Sequence, residues 1–195
     1  MCPKCLSLAR HRLLAYYLAR ETEFYAAHMR VLHVAPERCL ARRFARLANL
    51  DYVTGDLNRR DVACQLDVTA LPFEDESFDA VLCLHVLEHV ADDFGALTEI
   101  RRVLRPEGLA IVQPALNPAF EHTDEDVTLT DPFERFLRFE TAEHLRIYGR
   151  DFEARLQTAG FSVTARQVSG WLSRTAIGLY GFDRDEIFHV CVKPS

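Results

Sequence analysis

The sequence predicts an α/β fold built on one doubly wound, mostly parallel seven-stranded sheet with an antiparallel last strand. Three observations predict it. Short apolar runs alternate with helix-spaced amphipathic segments, as parallel strands joined by helical crossovers require. Residues 78–84 (FDAVLCL) are apolar nearly throughout, the pattern of a strand covered on both faces. The last two apolar runs lack a clear helical crossover, so the final strand is expected to enter antiparallel.

The elements follow in order. Residues 6 to 27 place Leu6, Leu13, Leu14, Tyr17, Leu18 and Phe24 at helical spacing. Residues 30–35 form a first strand, and 37–47 an amphipathic helix that Pro36 is well placed to open. A second strand, 52–55, ends in Gly55-Asp56, and a third, 62–66, ends in Asp67. The polar turn Glu74-Asp75-Glu76-Ser77 leads into the fourth strand at 78–84. A helix over 92–104 is stopped by Pro106, and 108–113 is the fifth strand. Residues 115–150 show little strand character and predict short helices. A helix at 151–159 closes at Gly160, and strands at 161–168 and 186–192 complete the set.

At 195 residues and 49% hydrophobic, the chain suits one domain over 1–195, with one good core. No apolar run approaches the ~20 residues that a membrane span needs. The opening MCPKCLSLARHRLL carries charges where a signal peptide has its apolar stretch, so a cytoplasmic address is the expectation. Six cysteines fit it, with Cys64, Cys83 and Cys191 in apolar strand-like runs. Net charge is −6; residues 1–50 hold nine Lys/Arg against three Asp/Glu, or +6, which leaves −12 for the remainder. That acidic remainder argues against a nucleic-acid partner, and Arg38, Arg42, Arg43 and Arg46 read as a solvated helix face.

In such sheets ligands bind outside the carboxyl ends of the strands. The rule singles out Ala35-Pro36-Glu37, Asp56, Asp67-Val68, Leu84-His85 and Pro114-Ala115. Asp56 lies 19 residues after Glu37, where an acid can accept from both hydroxyls of a ribose; a turn aspartate is the plainer reading.

The stretch DVTALPFEDESFDAVLCLHVLEHVADD, followed by RVLRPEG, resembles the class I S-adenosylmethionine-dependent methyltransferases, a Rossmann-like superfamily, and in particular their small-molecule branch. The resemblance covers most of the chain. It implies S-adenosyl-L-methionine as cofactor, with Ala35, Pro36 and Glu37 beside its methionine part. Asp56 and the following Leu57 would lie at the ribose, Asp67 and Val68 at the adenine, and Leu84 and His85 at the methionine end, facing substrate. Against the usual D-x-G-x-G, the chain reads His33 for the acid, Ala35 for the first glycine and Glu37 for the second. Glu37 would put a carboxylate near that of the methionine unless it meets the ammonium, and Pro36 removes a backbone donor. A subset of the superfamily shows an HxAPE-type turn together with CPxC and RHR near the start, which this chain resembles.

Residues 1–28 form a CxxC turn and helix. Cys2 and Cys5 make half a zinc site; only His11 or Cys39 could complete it, and no metal site is assigned. Arg10 could meet an anionic group. The resemblance makes residues 115–150 a substrate-shaping insertion. There His122, His144, Arg146 and Tyr148 are substrate or acid/base candidates, and Phe120, Phe133, Phe136 and Phe139 are expected in core or pocket wall.

Methyl transfer is an in-line displacement, so alignment dominates and a base is needed only when the acceptor must lose a proton. His85 is the first candidate base, with His89 one turn on and His144 in the insertion as further ones. The expected acceptor is a small molecule, methylated at oxygen, nitrogen or carbon. A homodimer stays open. Alternatives are a methyltransferase fold that has lost methyl transfer, a nicotinamide oxidoreductase (poor, for want of G-x-G-x-x-G), and a zinc-dependent interaction module.

Overall fold

The computed structural model describes residues 1–195. Its seven-stranded sheet comprises β1 (Met29–Val34), β2 (Leu50–Asp56), β3 (Cys64–Gln65), β4 (Phe78–Leu84), β5 (Leu104–Gln113), β6 (Ser162–Gln167) and β7 (Ile187–Val192). They are arranged β3-β2-β1-β4-β5-β7-β6. The first five strands run parallel, and β7 is antiparallel to both β5 and β6. The chain reverses direction across the sheet between β1 and β4, so the crevice lies outside their carboxyl ends.

The covering helices are α1 (Ala9–Glu21), α2 (Arg38–Phe44), α3 (Asp93–Val103), α4 (Pro132–Phe139), α5 (Phe152–Thr158), α6 (Val168–Trp171) and α7 (Arg174–Tyr180). Two apolar layers flank the sheet. One packs Leu97, Ile100, Phe152 and Leu156 against Leu32, Val81 and Val112; the other packs Leu14, Leu18 and Phe44 against Val31, Leu82 and Ile111. Alternate residues of β1 and β4 thus enter opposite layers, which is why both strands are apolar over most of their length. Each Leu or Phe so buried contributes on the order of 1.5–3 kcal/mol.

Several expectations need correction. The first helix spans only 9–21, because Thr22 turns its hydroxyl back onto the carbonyl of Leu18. The third strand shrinks to two residues, paired only with Gly55 and Asp56. The fifth strand begins at Leu104, and its pairing with β4 slips at the RPEG turn. There Glu107 adopts φ 62°, in the position of a glycine, at the end of β5 remote from the crevice. Two short helices, α6 and α7, lie between the last strands, yet the strands remain antiparallel.

The insertion contains α4 and a two-residue ribbon in which Asp124–Glu125 pairs with Arg146–Ile147. Of its phenylalanines only Phe139 is buried; Phe133 and Phe136 face solvent because a two-turn helix lying on the surface has one inward face, and Phe120, in the loop before it, is exposed too. No helix is long and apolar enough to cross a membrane.

Candidate functional site

Two cavities flank His85 at the carboxyl end of β4. One, of about 400 Å³, is lined by Ala35, Asp56, Leu57, Asp67, Val68 and His85, with Asn58, His89 and Glu143 also on its wall. The other, of about 570 Å³, is bounded by Arg10, His85, Gln113 to Pro118, Glu140, His144, Asp183, Asp185 to Ile187 and His189. His85 belongs to both.

The glycine-free turn keeps a glycine's backbone. Ala35 has φ 47°, and its amide donates to the Gly55 carbonyl at 2.7 Å. This left-handed conformation costs an alanine roughly 1 kcal/mol, and it turns the chain past the cavity in the way a glycine would. His85 does the same at φ 52°, its amide donating to Gln113. The first missing glycine is therefore conformationally replaced, whereas Glu37, in place of the second, has an ordinary φ of −72°.

Glu37 turns inward. Its carboxylate accepts from His33 Nε2 at 3.1 Å and lies 3.5 Å from His11 Nε2. Because that nitrogen of His33 donates, Nδ1 is free to accept from the Tyr52 hydroxyl at 2.7 Å. Burial opposes ionisation of Glu37, but the His33 hydrogen bond and the two imidazoles outweigh it and hold the carboxyl below its usual range. Burial, then the Glu37 charge, pushes the Tyr52 phenol up. His33 is fully buried and does not reach the cavity, so it orients Glu37 instead of touching a ligand. Leu84 is core, Glu37 faces inward, and Pro36 borders a separate arginine-lined cleft, its carbonyl held by Arg59 at 2.6 Å; none of these three lines either cavity.

Two carboxylates point the other way. Asp56 Oδ1 accepts from the amides of Asn58 and Arg59 at 2.8 and 2.9 Å, while its second oxygen makes no bond. Asp67 Oδ1 takes the amide and hydroxyl of Thr69, which lowers its pKa, and leaves Oδ2 free. Each acid is thus fixed by its own turn with one oxygen open to a ligand.

His85 Nδ1 lies 2.9 Å from Oε1 of Glu88, a fully buried carboxylate that also accepts from the Ala115 amide. Burial raises the Glu88 pKa, but the bond and charge of His85 more than offset this, so the group is held low. A carboxylate can only accept, so the proton sits on Nδ1 and the Nε2 lone pair is left free. Glu88 and His89 sit on a single 3-10 turn, Leu87–His89, which His85 precedes in a left-handed conformation. As a result His89 lies on the smaller cavity alone.

Of the other candidates, Arg10 and His144 line the larger cavity. Burial lowers the His144 pKa. Three do not reach it. His122 is exposed, and its backbone packs on Gly149, where an added Cβ would sit 2.6 Å from the His122 carbonyl carbon. Arg146 is buried, giving its guanidinium to the carbonyls of Leu87, Val90 and Ala91 and to Glu125. Tyr148 is buried with its hydroxyl on Asp93 at 2.8 Å. Both anchor the insertion. The sequence reading missed Asn58, Glu143, Asp183 and Glu186, which flank motif positions or come from the distant 183–187 loop.

Residues 28–112 match the family model described as methyltransferase domain. The fold is that of solved S-adenosylmethionine-dependent methyltransferases. A demethylmenaquinone methyltransferase of Mycobacterium sp. (strain KMS) is 50% identical over 46 residues, 24% of this chain and 20% of that protein. An S-adenosylmethionine-dependent methyltransferase from Archaeoglobus fulgidus shares the fold at TM-score 0.58 and 14% identity, over 93% of this chain and 94% of that one. Phosphoethanolamine N-methyltransferase 2 of Haemonchus contortus, solved in complex with S-adenosyl-L-methionine, does so at TM-score 0.58 and 16% identity, over 95% and 53%. The matched pieces span only 20% to 28% of the length of the first curated relatives. The 400 Å³ cavity combines the two open carboxylate oxygens with the left-handed turns at Ala35 and His85.

Proposed function

We propose that this chain transfers a methyl group from S-adenosylmethionine to a small-molecule acceptor by in-line displacement. The observation that carries the proposal is the pair of cavities meeting at His85, one fitted for a nucleoside and the other open for an acceptor. The cofactor supplies an electrophilic methyl on its sulfonium. Asp56 Oδ2 accepts from the ribose hydroxyls, Asp67 Oδ2 from the adenine amine, and Val68 and Leu57 pack on the nucleoside. Ala35 turns the backbone past the methionine part, and Glu37, facing inward, keeps its charge away from the methionine carboxylate.

His85 stands at the seam, its free Nε2 able to take a proton from an acceptor that must lose one. Glu88 positions that ring. Glu140, Asp183, Asp185 and Glu186 outnumber Arg10 on the larger cavity, which favours a neutral or amine-bearing acceptor over an anionic one. Small acceptors are also what the names of the Mycobacterium and Haemonchus relatives state for those proteins.

Calorimetric titration with S-adenosylmethionine and S-adenosylhomocysteine tests the proposal. Binding in the roughly micromolar range is expected. Asp56→Ala should weaken it about 10- to 100-fold, the worth of one or two hydrogen bonds to a charged group. A folded protein that binds neither nucleoside refutes the reading.

A further inference from the structure

Beside the seam, one donor atom each from Glu88, His89 and His144 lies within 4.8 Å of the other two. We propose that these three residues hold a divalent transition-metal ion. Glu88 carries the argument. It is fully buried, its Oε1 is taken by His85 and the Ala115 amide, and its Oε2 has no hydrogen-bond partner. A buried carboxylate oxygen without a donor is rare, because nothing repays its lost water. A cation is the partner that would satisfy it.

The two imidazoles are already prepared as ligands. His89 Nδ1 meets the Glu143 carbonyl at 3.3 Å, and His144 Nδ1 meets the Phe139 carbonyl at 3.1 Å. A carbonyl only accepts, so each Nδ1 bears the proton and each Nε2 keeps a lone pair. A ring nitrogen held by a backbone carbonyl while the other points at the ion is the usual second support of a metal-bound histidine. The rings stand edge to face with centroids 4.8 Å apart. Two imidazoles and one carboxylate suit zinc, cobalt or iron(II) and leave coordination positions open.

Tetrahedral ligands at about 2.1 Å from an ion are roughly 3.4 Å apart, so the donors must close by at most about 1.4 Å. His89 is exposed and can move that far. His89 lines the smaller cavity and His144 the larger, so the ion would sit between the two.

The test omits cofactor and acceptor, so its result does not depend on the methyl-transfer reading. Protein stripped with a chelator, in a Cys2→Ser/Cys5→Ser background that removes the N-terminal thiol pair, is titrated with Co²⁺ and then Zn²⁺. One equivalent of Co²⁺ is expected, with visible d–d bands and no thiolate charge-transfer band, and Zn²⁺ should displace it. His89→Ala, His144→Ala and Glu88→Gln should each weaken binding at least tenfold. Far-ultraviolet circular dichroism checks that each is folded, and the exposed His89 makes its variant the safest arm. Failure of the folded parent to bind Co²⁺ at millimolar concentration overturns the proposal, as does binding that survives His89→Ala unchanged.

Discussion

Replacing Arg146 by methionine should destabilise the protein far more than a surface arginine would. Its side chain is about 1% exposed. Its guanidinium donates to the Leu87 carbonyl at 2.8 Å, the Val90 carbonyl and the Ala91 carbonyl at 3.1 Å, while Nε pairs with Glu125 at 2.9 Å. Methionine fills much of the volume but leaves these carbonyls without a donor, at about 1–3 kcal/mol for each that stays dry. Removing one partner of a buried ion pair costs about 3–5 kcal/mol, but Glu125 is partly exposed and keeps Arg155 at 2.5 Å, so its share is smaller. A net loss of about 3–5 kcal/mol is expected, a large part of the ~5–15 kcal/mol typical of a domain. Urea titration should show the midpoint fall with an unchanged slope, and the melting temperature should drop by roughly 6–20 °C. Arg146→Lys should recover little, since an ammonium cannot span three carbonyls. Because those carbonyls belong to the turn that carries Glu88 and His89, binding of S-adenosylmethionine should weaken too. A loss below about 1 kcal/mol would refute the reasoning and reclassify Arg146 as free to face a ligand.

Two further outcomes follow from particular residues. Burial, then the nearby Asp183 charge, raises Glu186 to about 7, against the opposing charges of His85 and Arg10 and the Gln113 hydrogen bond. A raised carboxyl stabilises the fold fully below its unfolded value near 4.3 and loses that contribution as pH climbs through 7, by up to about 3 kcal/mol. Glu186→Gln should therefore flatten the fall in stability between pH 5 and 8, read by urea titration at each pH; an unaltered profile contradicts the assignment. Ala35→Gly should leave stability within about 1 kcal/mol, relief of the left-handed φ being offset by a freer unfolded chain, whereas Ala35→Val should lose more than that. A valine variant as stable as the parent would show that the turn has another conformation.

The strand ends were legible because burial on both faces writes itself into composition. FDAVLCL could only be central, and the residue leaving it, His85, could only stand in the crevice. Asp56 and Asp67 were found by the same logic. What the sequence did not carry were directions of side chains and partners far along the chain. Nothing local says that Glu37 folds back onto His33 and His11, the latter 26 positions earlier. Arg146 and Tyr148 looked like ligand contacts because polar residues in an insertion usually face solvent; their partners, Leu87 and Asp93, lie 59 and 55 residues away. The 3-10 turn at Leu87–His89 is held from the same distance, since the Arg146 fork takes the Leu87 and Val90 carbonyls.

The position of β7 in the sheet has a consequence for synthesis. Of the seven strands it is the last to leave a ribosome, yet it is inserted between β5 and β6, and β6 pairs with no other strand of the sheet. Until residues 187–192 emerge, the nascent chain carries an open β5 edge and a strand with nothing to pair with, the kind of surface on which chains join one another. The crevice residues from Ala35 to His89 are translated long before that moment. The nucleoside half of the molecule can therefore gather early, while the larger cavity, which borrows Asp183, Asp185 to Ile187 and His189, waits for the closing strand.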